Sequence, residues 1–175
     1  MEGDGTGVTV RLARRSEKAL IEGLSQFYIY DFSELEPAGS ADFEFDRRGR
    51  FPPLPYLDEH WRREGLSPLL IHVEQRTVGF ALLNTFSHGG GTVERNMGEF
   101  FVARKYRRRG IAMRAVREVL RQYPGRWEVA VAERNLAAKA FWPRAIAAAP
   151  NVSDLVRREG DGEHWRGPIW SFLAG

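Results

Sequence analysis

The residues best suited to chemistry crowd into one stretch, Phe100–Ala112, which reads FFVARKYRRRGIA. An apolar run (Phe100, Phe101, Val102) enters a basic turn, reaches Gly110 and opens a helical pattern. A strand ending in a glycine-bearing loop at a helix N-terminus suits a phosphate, because the amides there lack intrahelical partners and the helix dipole favours negative charge. Arg107, Gly110 and Ala112 stand in the spacing R-x-x-G-x-A. Gly110 lets the backbone approach a ligand, Ala112 lets the first helical turn crowd against it, and the arginines add charge. The pattern is neither the G-x-x-x-x-G-K-[ST] of nucleotide loops nor the G-x-G-x-x-G of dinucleotide folds. A basic run is otherwise a solvated face.

Three further clusters carry less. In Phe27-Tyr28-Ile29-Tyr30-Asp31-Phe32, Tyr28 and Asp31 are expected to wall a substrate pocket, Asp31 holding a cation. The alternative puts Phe27 and Tyr28 in the core and Asp31 on the surface. His88-Gly89-Gly90-Gly91 resembles an esterase oxyanion loop, but no G-x-S-x-G elbow accompanies it, so it reads as a connecting loop. His60, His72, His88 and His164 lack metal-ligand spacing, and no metal is expected.

The elements that must position these residues follow from periodicity. Val8, Val10 and Leu12 alternate as a half-buried strand, and Ser16 caps a helix whose inner stripe is Ala19, Leu20, Leu24, Phe27 and Tyr28. Residues 31–68 hold Pro37, Gly39, Gly49, Pro52, Pro53 and Pro55 and read as a substrate-facing flap or a structural loop, with a short helix over Leu57–Glu64. Leu69–Glu74 and Val78–Asn84 form two strands joined at Gln75–Arg76, and Met97–Ala103 forms a central strand. A helix then buries Ile111, Ala112, Ala115, Val116, Val119, Leu120 and Tyr123 and stops at Pro124–Gly125. Trp127–Ala132 is a strand, Asn135 caps another helix that Pro143 should kink or break near Trp142, and Asp154–Arg158 with Ile169–Leu173 form a hairpin. This order predicts a mixed α/β layer fold in one domain over residues 1–175.

Bulk properties narrow the class. With 175 residues, 43% hydrophobic and 28% charged, the chain has the composition of an ordinary globular protein. It has no cysteine, which removes disulfides and thiolate chemistry. MEGDGTG lacks the apolar segment of a signal peptide, and no run reaches the roughly 20 apolar residues that span a bilayer, so a cytoplasmic protein without a membrane partner is expected. A net charge of +3 is too small to argue for nucleic acid, and only Lys18, Lys105 and Lys139 are lysines.

The Phe100–Ala112 segment resembles the acyl-CoA-binding motif of the GNAT superfamily of N-acetyltransferases, [QR]-x-x-G-x-[GA]. Asn135, Ala138 and the pair Phe141-Trp142 are similar to its N-x-x-A-x-x-[FL]-Y. The resemblance covers nearly the whole chain in element order, though residues 31–68 carry no specific match. It implies a central, mostly antiparallel sheet of six to seven strands, splayed at the acyl-CoA site and flanked by about four helices. It implies acetyl-CoA as co-substrate, an amine acceptor, and a homodimer. On this resemblance the pantetheine arm lies between Gly98–Ala103, including Phe101, Val102 and Ala103, and Trp127–Ala132. Arg107, Arg108, Arg109, Gly110, Ile111 and Ala112 take the pyrophosphate, and an amide near Val102 stabilises the oxyanion. Asn135, Lys139 and Trp142 stand at further coenzyme positions; outside the resemblance Asn135 reads as a helix cap and Lys139 as a solvated lysine.

An ammonium cannot attack, so a base must take its proton. Glu99, a carboxylate in an apolar strand just before the splay, is the expected base, its pKa raised by desolvation; an ion pair with an arginine is the alternative. The family's tyrosine acid falls at Trp142, whose indole is no useful proton donor, leaving Tyr106, Tyr123, Tyr28, water or unassisted departure. Two rivals follow: a non-catalytic acyl-CoA-binding module, and a nucleic-acid binder using Arg104–Arg109, whose affinity would fall steeply with salt.

Overall fold

The computed structural model describes residues 7–175, so all but the last residue of MEGDGTG lies outside the described residues. The elements in chain order are β1 (Val8–Leu12), α1 (Lys18–Ser33), β2 (Ser67–Val73), β3 (Arg76–Asn84), β4 (Arg95–Val102), α2 (Ile111–Gln122), β5 (Gly125–Ala130), α3 (Leu136–Ala147), β6 (Val152–Glu159) and β7 (Pro168–Ala174). The strands form one sheet in the order β1-β2-β3-β4-β5-β7-β6. Every neighbouring pair is antiparallel except β4 and β5.

The sheet is covered on both faces, so its central strands read as unbroken apolar runs. Leu69, Ile71, Ala81, Leu83, Met97, Trp127 and Val129 face one core with Ile111, Ala115, Val116 and Val119 of α2 and Trp142, Ala145 and Ile146 of α3. Leu70, Phe80, Leu82 and Phe101 face the other, with Ile21 and Ile29 of α1 and Leu54 and Leu57 of the long 34–66 connection. β4 changes register between these layers: Leu82 lies opposite Glu99 but Leu83 opposite Met97. Gly98 is therefore the extra residue of a bulge, and a Cβ there would meet the Asn84 side-chain amide at 2.5 Å.

Several expectations are corrected. α1 buries Ile21, Ser25 and Ile29, leaving Leu20 and Phe27 exposed at 40% and 63%. Those two lie on the face opposite the stripe set by the i, i+4 spacing of 21, 25 and 29. Ser16 is not the cap: it sits inside a 3-10 turn, Arg15–Glu17, and the Glu17 carboxylate takes the Arg14 amide at 2.9 Å. Leu12 is exposed, because β1 is an edge strand that buries only Val10. The short helix near residue 57 is a 3-10 segment, Leu57–Trp61, so among the described residues three α-helices flank the sheet rather than about four. α3 is not broken near Trp142; it runs through Pro143 to Ala147. Pro143 forfeits one helical hydrogen bond, and burial of Trp142, Ala145 and Ile146 offsets that loss. Among the described residues no helix is long and apolar enough to cross a membrane.

Two glycines test this packing with opposite signs. A Cβ on Gly79 would lie 2.0 Å from the Phe101 carbonyl oxygen, whereas one on the exposed, helical Gly23 meets nothing within 4 Å. Chemical denaturation of Gly79→Ala is expected to show a loss of about 3 kcal/mol, and Gly23→Ala a gain of about 0.5–1 kcal/mol.

Candidate active site

The site begins where pairing stops. β4 and β5 pair only at Arg95 with Trp127 and Asn96 with Glu128; beyond them the strands part, β4 staying with β3 to Val102 and β5 with β7 to Ala130. Ala103 donates its amide to Val78 O at 2.8 Å, on the β3 side. By alternation Val102 and Phe100 turn their backbone groups toward the gap. The Val102 carbonyl is already held there by Arg107 Nε at 2.7 Å.

The basic turn follows as a 3-10 segment, Arg104–Tyr106, with Arg108 and Gly110 in the left-handed region at φ 59° and 73°. This alternation folds successive amides into a concave nest. The first hydrogen bond of α2 runs from the Arg114 amide to Gly110 O at 3.1 Å, so the amides of Ile111, Ala112 and Met113 precede it without helical partners. The side chains of Arg108 and Arg109 make no hydrogen bond or ion pair among the described residues, while Arg107 pairs with Asp31 at the end of α1. Arg104 joins the same carboxylate at 2.8 Å. Asp31 thus holds two guanidiniums of its own chain and ties α1 to the basic turn.

Glu99 follows the Gly98 bulge and faces α1, where the Tyr28 hydroxyl donates a hydrogen bond to it. Tyr28 is wedged against Phe32, Phe80 and Phe101 at centroid distances of 4.8, 5.9 and 6.2 Å. Burial pushes the Glu99 carboxyl up to about 7, the Tyr28 hydrogen bond acting in the opposite direction. The tyrosine is pushed above its ordinary value by the same burial and by the Glu99 charge. No arginine pairs with Glu99 among the described residues. Glu99 lines a cavity of about 590 Å³ walled by Leu66, Leu82, Tyr56, Phe86, His60 and His88, with Asn96 and Gly98 at its floor. Neither Tyr28 nor Asp31 lines it.

On the far side of the gap, Phe100 stacks on Phe141 at 6.1 Å and meets Trp142 edge-on at 5.4 Å. Trp142 is buried. Asn135 caps α3 by accepting the Ala138 amide at 3.0 Å, and Lys139 pairs with Glu133 at 2.7 Å. His60, Asn96 and the buried Glu128 that holds His88 carry no sequence signal that ties them to this site. Each is a lone polar residue in an apolar or loop pattern; the fold brings His60 and Asn96 to the Glu99 cavity and sets Glu128 against His88, which lines it. Among the described residues no three His, Cys, Asp or Glu gather as metal ligands.

Residues 30–146 match the model of the acetyltransferase (GNAT) family. No curated protein matches the chain in sequence. Its fold is similar to that of the PaiA N-acetyltransferase of Thermoplasma acidophilum, solved with coenzyme A (TM-score 0.58, 9% identity, 97% of this chain and 99% of that one). It is likewise similar to the spermidine N-acetyltransferase of Vibrio cholerae, solved with CoA and spermine (0.56, 13%, 95% of each chain). The diaminobutyrate acetyltransferase of Paenibacillus lautus, solved with L-2,4-diaminobutyric acid and coenzyme A, is a third (0.57, 15%, 97% and 96%).

The Glu99–Tyr28 contact is testable without turnover. In Tyr28→Phe the donor is lost, so the Glu99 midpoint is expected to rise above its wild-type value near 7 in carboxyl-labelled NMR titrations. An unchanged or lower midpoint would contradict the contact.

Proposed function

The chain belongs to the acetyltransferase (GNAT) family, and from that premise we propose that it transfers an acetyl group from acetyl-CoA to a primary amine of a small molecule, with both bound at once. The observation that carries this is the parting of β4 and β5 beside the unpartnered amides of α2. An amide-bearing arm fits such a gap as an added strand fits a sheet edge, along Phe101, Val102 and Ala103. The amides from Arg109 to Ala112, with the unpaired Arg108 and Arg109 side chains, suit a diphosphate. Arg107 acts indirectly, holding the Val102 carbonyl and anchoring the turn to Asp31. Asn135 and Lys139 hold the start of α3, and Trp142 backs the aromatic wall at Phe100.

Acetyl-CoA supplies the activated acetyl group as a thioester. The Val102 amide, facing the gap, donates to the oxygen on which charge builds during attack. Glu99 takes the proton that keeps the amine from attacking, and a value near 7 leaves it able to accept one at neutral pH. The cavity's Leu66, Leu82, Tyr56 and Phe86 suit a compact amine with an apolar body. Small amines also appear in the names of the Vibrio and Paenibacillus proteins. With indole at position 142, the departing sulfur takes its proton from the attacking nitrogen.

That same indole favours a second reading, a module that binds acetyl-CoA without turning it over. An amine panel monitored by thiol release separates the two. The enzyme is expected to release CoA only when an amine is present, with kcat/KM rising as pH passes about 7 because the base works ionised. Glu99→Gln should lose that rise and roughly 100-fold in rate. Binding of acetyl-CoA without release on any amine would establish the module, and full Glu99→Gln turnover across pH would remove the base.

A further inference from the structure

A second carboxylate stands behind the cavity wall. Glu128 is fully buried on β5, opposite Asn96 at the last pair before the gap. Trp127 and Val129 enter the α2–α3 core, so alternation turns Glu128 to the face that carries Glu99. It accepts the His88 amide at 2.6 Å and the Ser87 hydroxyl at 2.8 Å, and Arg158 of β6 lies 3.5 Å away. These contacts clamp the β3–β4 connection and orient the His88 ring between Phe86 and Trp165, at centroid distances of 4.9 and 4.2 Å.

The ring is polarised by its surroundings. Nδ1 is buried without a hydrogen-bond partner, 3.5 Å from the Glu128 carboxylate. A carboxylate on that side favours the proton on Nδ1, which leaves the Nε2 lone pair free. Nε2 is not among the buried, unpartnered atoms, and the side chain keeps 19% of its surface open. That open surface faces two cavities. His88 and Phe86 line both the Glu99 cavity and an adjoining one of about 440 Å³ walled by Arg158, Glu159, Asp161 and His164. The nearby charges are otherwise engaged: Glu159 with Arg157, Asp161 with His164, and Glu59 with Arg63. Burial holds His88 below the ordinary imidazole value, with Glu128 opposing, so the ring is neutral at pH 7.

Transfer to an ammonium forms one N–C bond and breaks one C–S bond; the sulfur keeps one proton and one more must leave. Glu99 receives that second proton in a site capped by Tyr28. Resting on the acceptor-site reading above, we propose that His88, oriented by Glu128, passes this proton from the Glu99 cavity to the outer one. Nε2 accepts it, the imidazolium is balanced by Glu128, and water in the outer cavity takes it away.

The test reads amine-dependent CoA release in weak and strong buffer, alongside melting temperature. His88→Ala and His88→Gln are expected to lose 10- to 100-fold in kcat with KM for acetyl-CoA unchanged. Millimolar imidazole should restore His88→Ala, while the wild type ignores buffer strength. Wild-type kcat and pH dependence in His88→Gln, or a His88→Ala deficit that imidazole does not restore, would overturn the relay and leave His88 a loop anchor. A wild type that releases no CoA with any amine would instead sink the acetyltransferase reading. NMR titration of the His88 ring stands apart from turnover: Glu128→Gln is expected to lower its midpoint, and an unmoved midpoint would overturn the dyad.

Discussion

The site depends on two neighbouring strands that stop sharing hydrogen bonds after two residue pairs. β4 and β5 can part because each has another partner, β3 on one side and β7 on the other. The sheet keeps its core on both faces while a row of backbone groups is left facing the gap. Buried amides without partners cost about 1–3 kcal/mol each, so such a gap holds only if water or a ligand satisfies them. The Gly98 bulge lies at the same level and brings Glu99 to the α1 face, which sets the carboxylate beside the gap.

Two carboxylates on that face receive opposite treatment. Glu128, fully buried, is met by an amide, a hydroxyl, an arginine and a histidine. Glu99 is met by one hydroxyl, and desolvation prevails, pushing it up to about 7. The first arrangement anchors a loop; the second leaves a group able to exchange a proton near neutrality. The Asp31 bridge to Arg104 and Arg107 links the helix carrying Tyr28 to the turn that opens α2.

The strands and α2 were legible in the sequence because their periodicity is strong: the stripe Ile111, Ala115, Val116, Val119 and Leu120 is buried as read. The Arg107–Ala112 turn was legible because glycine marks a left-handed residue, and Gly110 adopts one. The inner face of α1 is not legible in the same way, since Leu20 and Phe27 are more apolar than Ser25 yet lie off the stripe that packing selects. Of the two readings of Tyr28, the packed one holds, and its hydroxyl meets the Glu99 carboxylate, a relation across 71 residues that no local pattern encodes. The same distance in sequence hid Glu128 behind His88, 40 residues apart.

Hydrogen exchange read by mass spectrometry, with and without acetyl-CoA, tests the central claim most directly. The gap reading predicts that acetyl-CoA slows exchange at the amides of Phe100, Val102 and Arg109–Met113, which lack partners in the strand and helix ladders, and leaves the β6–β7 edge untouched. Unaltered exchange over residues 100–113 at saturating acetyl-CoA would contradict it.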